Sequence, residues 1–215
     1  MLEEESATEP MSRVARKERT RRAILDAALE LSSESTMAAL SLRQVAKQVG
    51  IVPTAFYRHF DSVEALGVAL VAESFVSLRT MLRDIRQGDP ALADIVDRSI
   101  TILVDHVHQQ RAHFAFIARE RAAGPPAVRR AIRDEIARFE HELAADLSRL
   151  PGTSVWSPRD LEVLSNLIVT AMVATAESIL AADDPAAEQR LVEQAQLQLR
   201  MVLIGALSWR SDPAR

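Results

Sequence analysis

A chain of 215 residues has room for one large domain, or for a small domain joined to a larger one. With 48% hydrophobic residues it can bury a core, so disorder is expected at the ends only, and with no cysteine it can form no disulfide, thiolate nucleophile or cysteine-ligated metal site. The net charge of −4 conceals an asymmetry: residues 11–60 carry nine Lys/Arg against four Asp/Glu, while 61–215 carry 17 against 22. Positive charge gathered in one segment is the footprint that a phosphate backbone requires. The lack of cysteine fits a reducing, cytoplasmic setting. No run of about 18 apolar residues is evident and the acidic start has no apolar core, so neither a membrane span nor a secretory signal is expected.

Residues 1–12, with Glu3, Glu4, Glu5 and Glu9, read as a disordered acidic lead. The first helix is predicted over 16–33, with Ile24, Ala27, Ala28 and Leu31 as its inward stripe. Its basic first turns offer Arg16, Lys17 and Thr20 to backbone phosphates, contacts that fix register without reading sequence.

The stretch SLRQVAKQVGIVPTAFYRHF (41–60) predicts two short helices around a glycine. Leu42, Val45, Ala46 and Val49 share one face, Ser41 and Gln44 can form a capping box, and Gly50 suits a left-handed C-terminal cap. Pro53 can open the next helix. Phe56 and Phe60 belong in the core, leaving Thr54, Tyr57, Arg58 and His59 to face outward. A helix, a tight turn and a second short helix make a helix-turn-helix, whose second helix can enter the DNA major groove; an ordinary helical hairpin has the same spacing.

Beyond residue 60 a long helix is predicted to about residue 87, capped by Asp61 with Glu64 at its third position. Punctuation at Gly88-Asp89-Pro90, Gly124-Pro125-Pro126, Pro151-Gly152 with Ser157-Pro158, and Asp183-Asp184-Pro185 separates further helices, with short connections at 106–113, 121–126 and 150–157. The expectation is an all-α protein of about nine helices, three of them in an N-terminal head (13–60) and the rest in a body (61–215). The last two helices differ from the others. LSNLIVTAMVATAESIL is apolar nearly all round and must be covered on both sides. Leu167, Ala171, Ala174 and Thr175 there, with Leu191, Ala195, Leu199 and Val202 in the final helix, are candidates for a four-helix bundle with a second copy; two internal core helices would show the same pattern.

Gly50-Ile51 followed by FYRHF (56–60) resembles the recognition-helix signature of the tetracycline-repressor (TetR) family. The resemblance extends through RTRRAILDAALEL (19–31) and Glu64-Ala65-Leu66. It departs at Val52, where the family has a serine cap, and at Val63, where many members carry a phosphate-facing lysine. IVPTAFYRHF, FIARERAAG (116–124) and LQLRM (197–201) are similar to the FabR/DesT-like regulators of unsaturated fatty acid synthesis. The resemblance implies a homodimer on a palindromic double-stranded DNA operator, commonly a repressor, with a small apolar ligand, here a long-chain acyl-CoA.

Ser41, Leu42 and Arg43 would then meet phosphate at the positive end of the second helix, Val52, Pro53 and Thr54 would meet bases, and Tyr57 and His59 phosphates. A ligand would sit among Phe75, Leu78, Met81, Leu82, Ile100, Leu103, Val107, Phe114, Phe116, Ile117, Phe139 and Met172, with Arg119 at the mouth. Each of these taken alone reads first as plain core, and the arginine-rich segment with Arg119, Arg121, Arg129, Arg130 and Arg133 reads first as a solvated face with internal ion pairs such as Arg130 with Asp134. No catalytic set, metal-ligand spacing, phosphate loop or dinucleotide fingerprint is present, so no enzyme, metal or cofactor is expected. Two rivals remain: a regulator of an efflux gene that senses a xenobiotic, and a helical enzyme or interaction module without DNA binding.

Overall fold

The computed structural model describes residues 12–33, 35–86, 94–149 and 155–211, with side chains described at all of these except 77 and 80–86. Among the described residues there are nine helices and no strand: α1 (Arg13–Leu31), α2 (Leu42–Val49), α3 (Pro53–Phe56), α4 (Val63–Arg86), α5 (Ile95–Gln109), α6 (Arg111–Ala123), α7 (Pro126–Leu147), α8 (Pro158–Leu180) and α9 (Pro185–Ser208).

Local chemistry sets most boundaries. Ser12 Oγ accepts from the Ala15 N–H at 3.2 Å, so α1 starts three residues before the predicted position, and it stops at Leu31 rather than 33. Ser62, not Asp61, caps α4: its hydroxyl accepts from Ala65 N at 3.0 Å, which moves Glu64 to the second helical position. The predicted connection at 106–113 shrinks to Gln110, whose carbonyl accepts from His113 and Phe114. Gly124-Pro125 ends α6, Ser157 caps α8 and Asp184 caps α9, each followed by a proline at a helix start where no amide hydrogen is needed. The predicted breaks at 88–90 and 151–152 lie outside the described residues, as does the acidic lead at 1–12 except for Ser12, which caps α1.

One apolar cluster runs from the head into the body. Ile24, Val45, Phe56 and Phe60 join Leu66 and Leu70 on α4, then Phe75, Leu103, Phe116, Ile132 and Ile179. Head and body therefore share a core across the boundary drawn at residue 60. In the body α4 packs on α5 and α7, α8 lies against α7 on one side and α9 on another, and α6 touches α4, α7 and α8. A second cluster, Val96, Ile100, Ala195 and Leu199, seats α9 on α5.

Helix α8 reaches the length and apolarity of a membrane span, with a mean hydropathy of 1.7 in its best window, although scattered Ser, Asn and Thr keep its sequence from being an unbroken apolar run. Its packing against α5, α6, α7 and α9 assigns it to the helical body, with one apolar face left over.

Candidate nucleic-acid interface

The helix-turn-helix forms as its sequence requires. Ser41 Oγ accepts from Gln44 N at 3.2 Å, and Gln44 Oε1 accepts from Ser41 N at 2.9 Å, which completes the capping box. Gly50 adopts φ 72°, ψ 30°, and the Ile51 N–H returns to the Ala46 carbonyl at 3.0 Å, closing α2 with the left-handed cap that its side-chain-free backbone permits. Val52 occupies the cap position of α3 with no side-chain hydrogen bond, and its carbonyl accepts from the Ala55 N–H at 2.9 Å.

Burial sorts the motif into two faces. Val45, Ala46, Phe56 and Phe60 are buried, whereas Arg16, Lys17, Ser41, Arg43, Val52, Pro53, Thr54 and Tyr57 are exposed. Leu42, Thr20 and His59 are half-buried, and the Thr20 hydroxyl is committed to the Arg16 carbonyl at 3.0 Å. All the predicted contact residues are described, and those on α1, α2 and α3 belong to one packed unit, since α1 packs on α2 and α2 on α3.

Arg21, which the sequence marks only by its charge, anchors the recognition element. Its guanidinium donates to the His59 carbonyl at 3.2 Å and lies 4.4 Å above the Phe60 ring, so one cation holds the end of that element against α1. His59 Nδ1 is buried without a partner. Burial first, and then the cations Lys17, Arg21 and Arg58, hold its pKa below the ordinary value, so the ring is neutral at neutral pH. An incoming phosphate would reverse the electrostatic part of that balance.

The apolar residues proposed for a ligand converge, but as close-packed core. Phe75, Leu78, Leu103, Val107, Phe114 and Phe116 are buried in the main cluster, with Ile117, Phe139 and Met172 against it. The Phe75 and Phe139 rings meet with centroids 5.4 Å apart and planes tilted by 39°. Ile100 belongs instead to the second cluster under α9, and Met81 and Leu82 lie outside the described side chains. Arg119 is corrected: it turns toward the head, donating to the carbonyls of Ser33 at 2.8 Å and Ser35 at 3.5 Å, and so does not stand at a cavity mouth. Arg121 forks onto Glu177, and Glu135 accepts from both Arg79 and Arg138, so these three arginines are held in internal ion pairs.

The residues expected to pair with a second copy divide between buried and exposed positions. Thr175, Ala195 and Leu199 are buried within the chain, and Ala171 and Val202 are only partly exposed. The predicted α9 stripe faces α5, because a hydrophobic pattern alone does not say which neighbour it serves. Leu191 is half-buried, while Leu167 and Ala174 are exposed. The outward apolar side chains are Val163 and Leu167 on α8, and Leu197, Met201 (66% exposed), Ile204 (67%) and Leu207 on α9. Val163 and Leu167 are four residues apart, and the α9 set recurs at four-, three- and three-residue spacing, as residues on one helical face do. His106 bonds the Ile102 carbonyl and His108 meets Glu188, so the two histidines serve different partners, and no metal-holding group of three or more occurs among the described residues.

Comparison with known proteins adds to this geometry. The overall fold is similar to that of a TetR-like transcriptional regulator from Rhodococcus sp. RHA1 (18% identity, 89% of this chain and 99% of that one, TM-score 0.64). It is similar also to the fatty acid degradation regulator FadR from Bacillus halodurans (13%, 84% and 94%, TM-score 0.67). A third likeness is to FadR from Bacillus subtilis in complex with stearoyl-CoA (16%, 83% and 96%, TM-score 0.66). At these identities the likeness is one of fold. Residues 24–70 match the bacterial regulatory proteins of the tetR family, and residues 92–205 match the tetracyclin repressor-like C-terminal domain. The first match ends inside α4, which agrees with a core continuous across the head boundary. With more than half of its length matched, the chain belongs to the tetR family and is a DNA-binding transcriptional regulator rather than an enzyme.

Proposed function

We propose that this regulator acts in the cytoplasm as a homodimeric repressor on a palindromic operator and that it senses a fatty acyl-CoA. The observation that carries the dimer is the outward apolar face of α8 and α9, where Val163, Leu167, Leu197, Met201, Ile204 and Leu207 stand exposed together with Gly205, which has open space around it. Exposed apolar surface repeated along two adjacent helices marks an interaction site, and a two-fold pairing of helix pairs covers it with itself. Two heads then meet successive major-groove turns, about 34–36 Å apart. Arg16, Lys17, Thr20, Ser41, Arg43, Tyr57 and His59 hold the backbone, and Val52, Pro53 and Thr54 face the bases. Few donors stand at that tip, so DNA shape and half-site spacing supply much of the specificity.

Support for the acyl-CoA is of two kinds. The middle of the body is packed with Phe75, Leu103, Val107, Phe114, Phe116 and Phe139, an apolar core into which an acyl chain would have to insert. One of the similar folds is a FadR in complex with stearoyl-CoA. The deciding experiment is a gel shift on genomic operator fragments titrated with saturated acyl-CoA, unsaturated acyl-CoA and cationic drugs. A response confined to acyl-CoA is expected. A response confined to the drugs assigns the protein to efflux control, and a response to neither removes the lipid reading.

A further inference from the structure

Two consecutive residues of α6 grip the connection between α1 and α2. Glu120 is 0% exposed, and its Oε1 accepts the Met37 N–H at 2.9 Å across 83 residues of chain. Arg119 donates on the other side to the carbonyls of Ser33 and Ser35. The Met37 side chain is itself buried, pressed over Gly67 of α4. A Cβ at Gly67 would come within 3.2 Å of Met37 Cε and 2.8 Å of Val128 Cγ2, so the turn, α4 and α7 meet where no further carbon fits. Gly124 makes the matching space at the end of α6, since a Cβ there would fall 2.5 Å from Glu120 Oε2.

The choice of a carboxylate is not explained by packing. Glu120 Oε2 has no partner, and burial drives the carboxyl pKa up against the pull of the Met37 amide and Arg119. An apolar side chain would fill the same volume at less cost, but it would leave the Met37 amide unsatisfied. What the acid supplies is a fixed, directional attachment between body and head.

We propose that Glu120 is a positioning residue that sets the angle of the DNA-binding head on the body, acting through the Met37 amide, with Arg119 as the second prong. The turn it holds leads within four residues to Ser41 and the helix-turn-helix. α6 also carries Phe114 and Phe116 into the apolar cluster, so displacement of α6 moves the head directly as well as through α4. The consequence for operator fit rests on the dimeric-repressor reading, whereas the joint itself does not.

The test uses the full chain, which has no native cysteine, with nitroxides at Lys47→Cys on α2 and Arg133→Cys on α7. Labelled chain is diluted into unlabelled chain so that pulsed electron resonance reads the distance within one protomer. The parent is expected to give one narrow distance, Glu120→Ala a broad or displaced one, and Glu120→Gln the parental one, because the amide oxygen still accepts from Met37. In the unlabelled chain Glu120→Ala should weaken operator binding about tenfold and Glu120→Gln little. A distribution in Glu120→Ala as narrow as the parent's, with circular dichroism showing a folded chain, overturns the proposal; so does a Gln variant as broad as Ala. Should Glu120→Ala not fold, Arg119→Ala, which removes the half-buried prong alone, is read in the same way: a broadened or displaced distance supports the joint, and an unaltered one overturns it. If the parent itself retards no operator DNA, the repressor reading fails while the distances still decide the joint.

Discussion

Tyr57 and His59 lie two residues apart near the end of the recognition element, and their surroundings give them different tests. Tyr57 is 59% exposed and meets the protein mainly through an edge-on contact with Phe56, so truncating it leaves the core intact. A hydrogen bond to a charged phosphate is worth about 1.5–3 kcal/mol, so Tyr57→Phe should cost operator affinity tenfold or more while the melting temperature stays put. Unchanged binding in a fluorescence titration would remove Tyr57 from the interface. His59 carries a pH signature. Burial and the cations Lys17, Arg21 and Arg58 keep the free protein's imidazole below the ordinary pKa of about 6.5, whereas a bound phosphate raises it. Binding then takes up a proton between those two values. Affinity should rise as pH falls through the complex's pKa and level off below that of the free protein. His59→Gln should flatten the slope; an equal slope in both proteins assigns the dependence elsewhere. The contacts of Arg21 and Glu120 were not legible in the sequence, because both depend on backbone groups 38 and 83 residues away.

Among the elements, α2 and α3 were the most legible, because their signals are local: a capping serine, a glycine stop and a proline start act within a few residues. Gly50 is the plainest case. Nothing lies within 4 Å of a Cβ built there, so only its positive φ resists substitution. Gly50→Ala should therefore cost about 1–2 kcal/mol, the penalty of a left-handed residue with a side chain. Chemical denaturation would measure it, and a neutral result would mean that α2 ends differently. Boundaries with rival caps were less legible. Asp61 and Ser62 both suit a helix start, and the winner depends on where α4 must lie to bury Leu66 and Leu70. The facing of α9 was hardest to read. Its inward residues Ala195 and Leu199 and its outward residues Met201 and Ile204 are all apolar, so periodicity found stripes without saying which one the body covers.

For the molecule as a whole, the proposed dimer makes the outward stripe of α8 and α9 the link between packing and DNA binding. A stable dimer buries about 1,200–2,000 Å², and its central large side chains carry most of the energy. Met201 and Ile204 are the most exposed of the large apolar side chains on that face, and neither contributes to the chain's own buried clusters. Ile204→Glu should therefore leave the helical content unchanged, whereas a charge at the buried Leu199 would disturb the seat of α9 on α5. In a dimer the new glutamate meets its own symmetry mate or an apolar wall, and desolvating that charge costs more than the missing isoleucine packing. Sedimentation should show a monomer at micromolar concentration. Operator affinity should fall far more than for any single head substitution, since each head then binds its half-site alone. The two losses must appear together: a monomer with undiminished operator binding would detach the stripe from recognition, and an intact dimer would place the pairing surface on another face. Salt dependence gives a second view of the same change. Every phosphate the protein neutralises adds about 0.9 to the slope of log affinity against log salt, so a monomer bound to one half-site should show about half the slope of the parent.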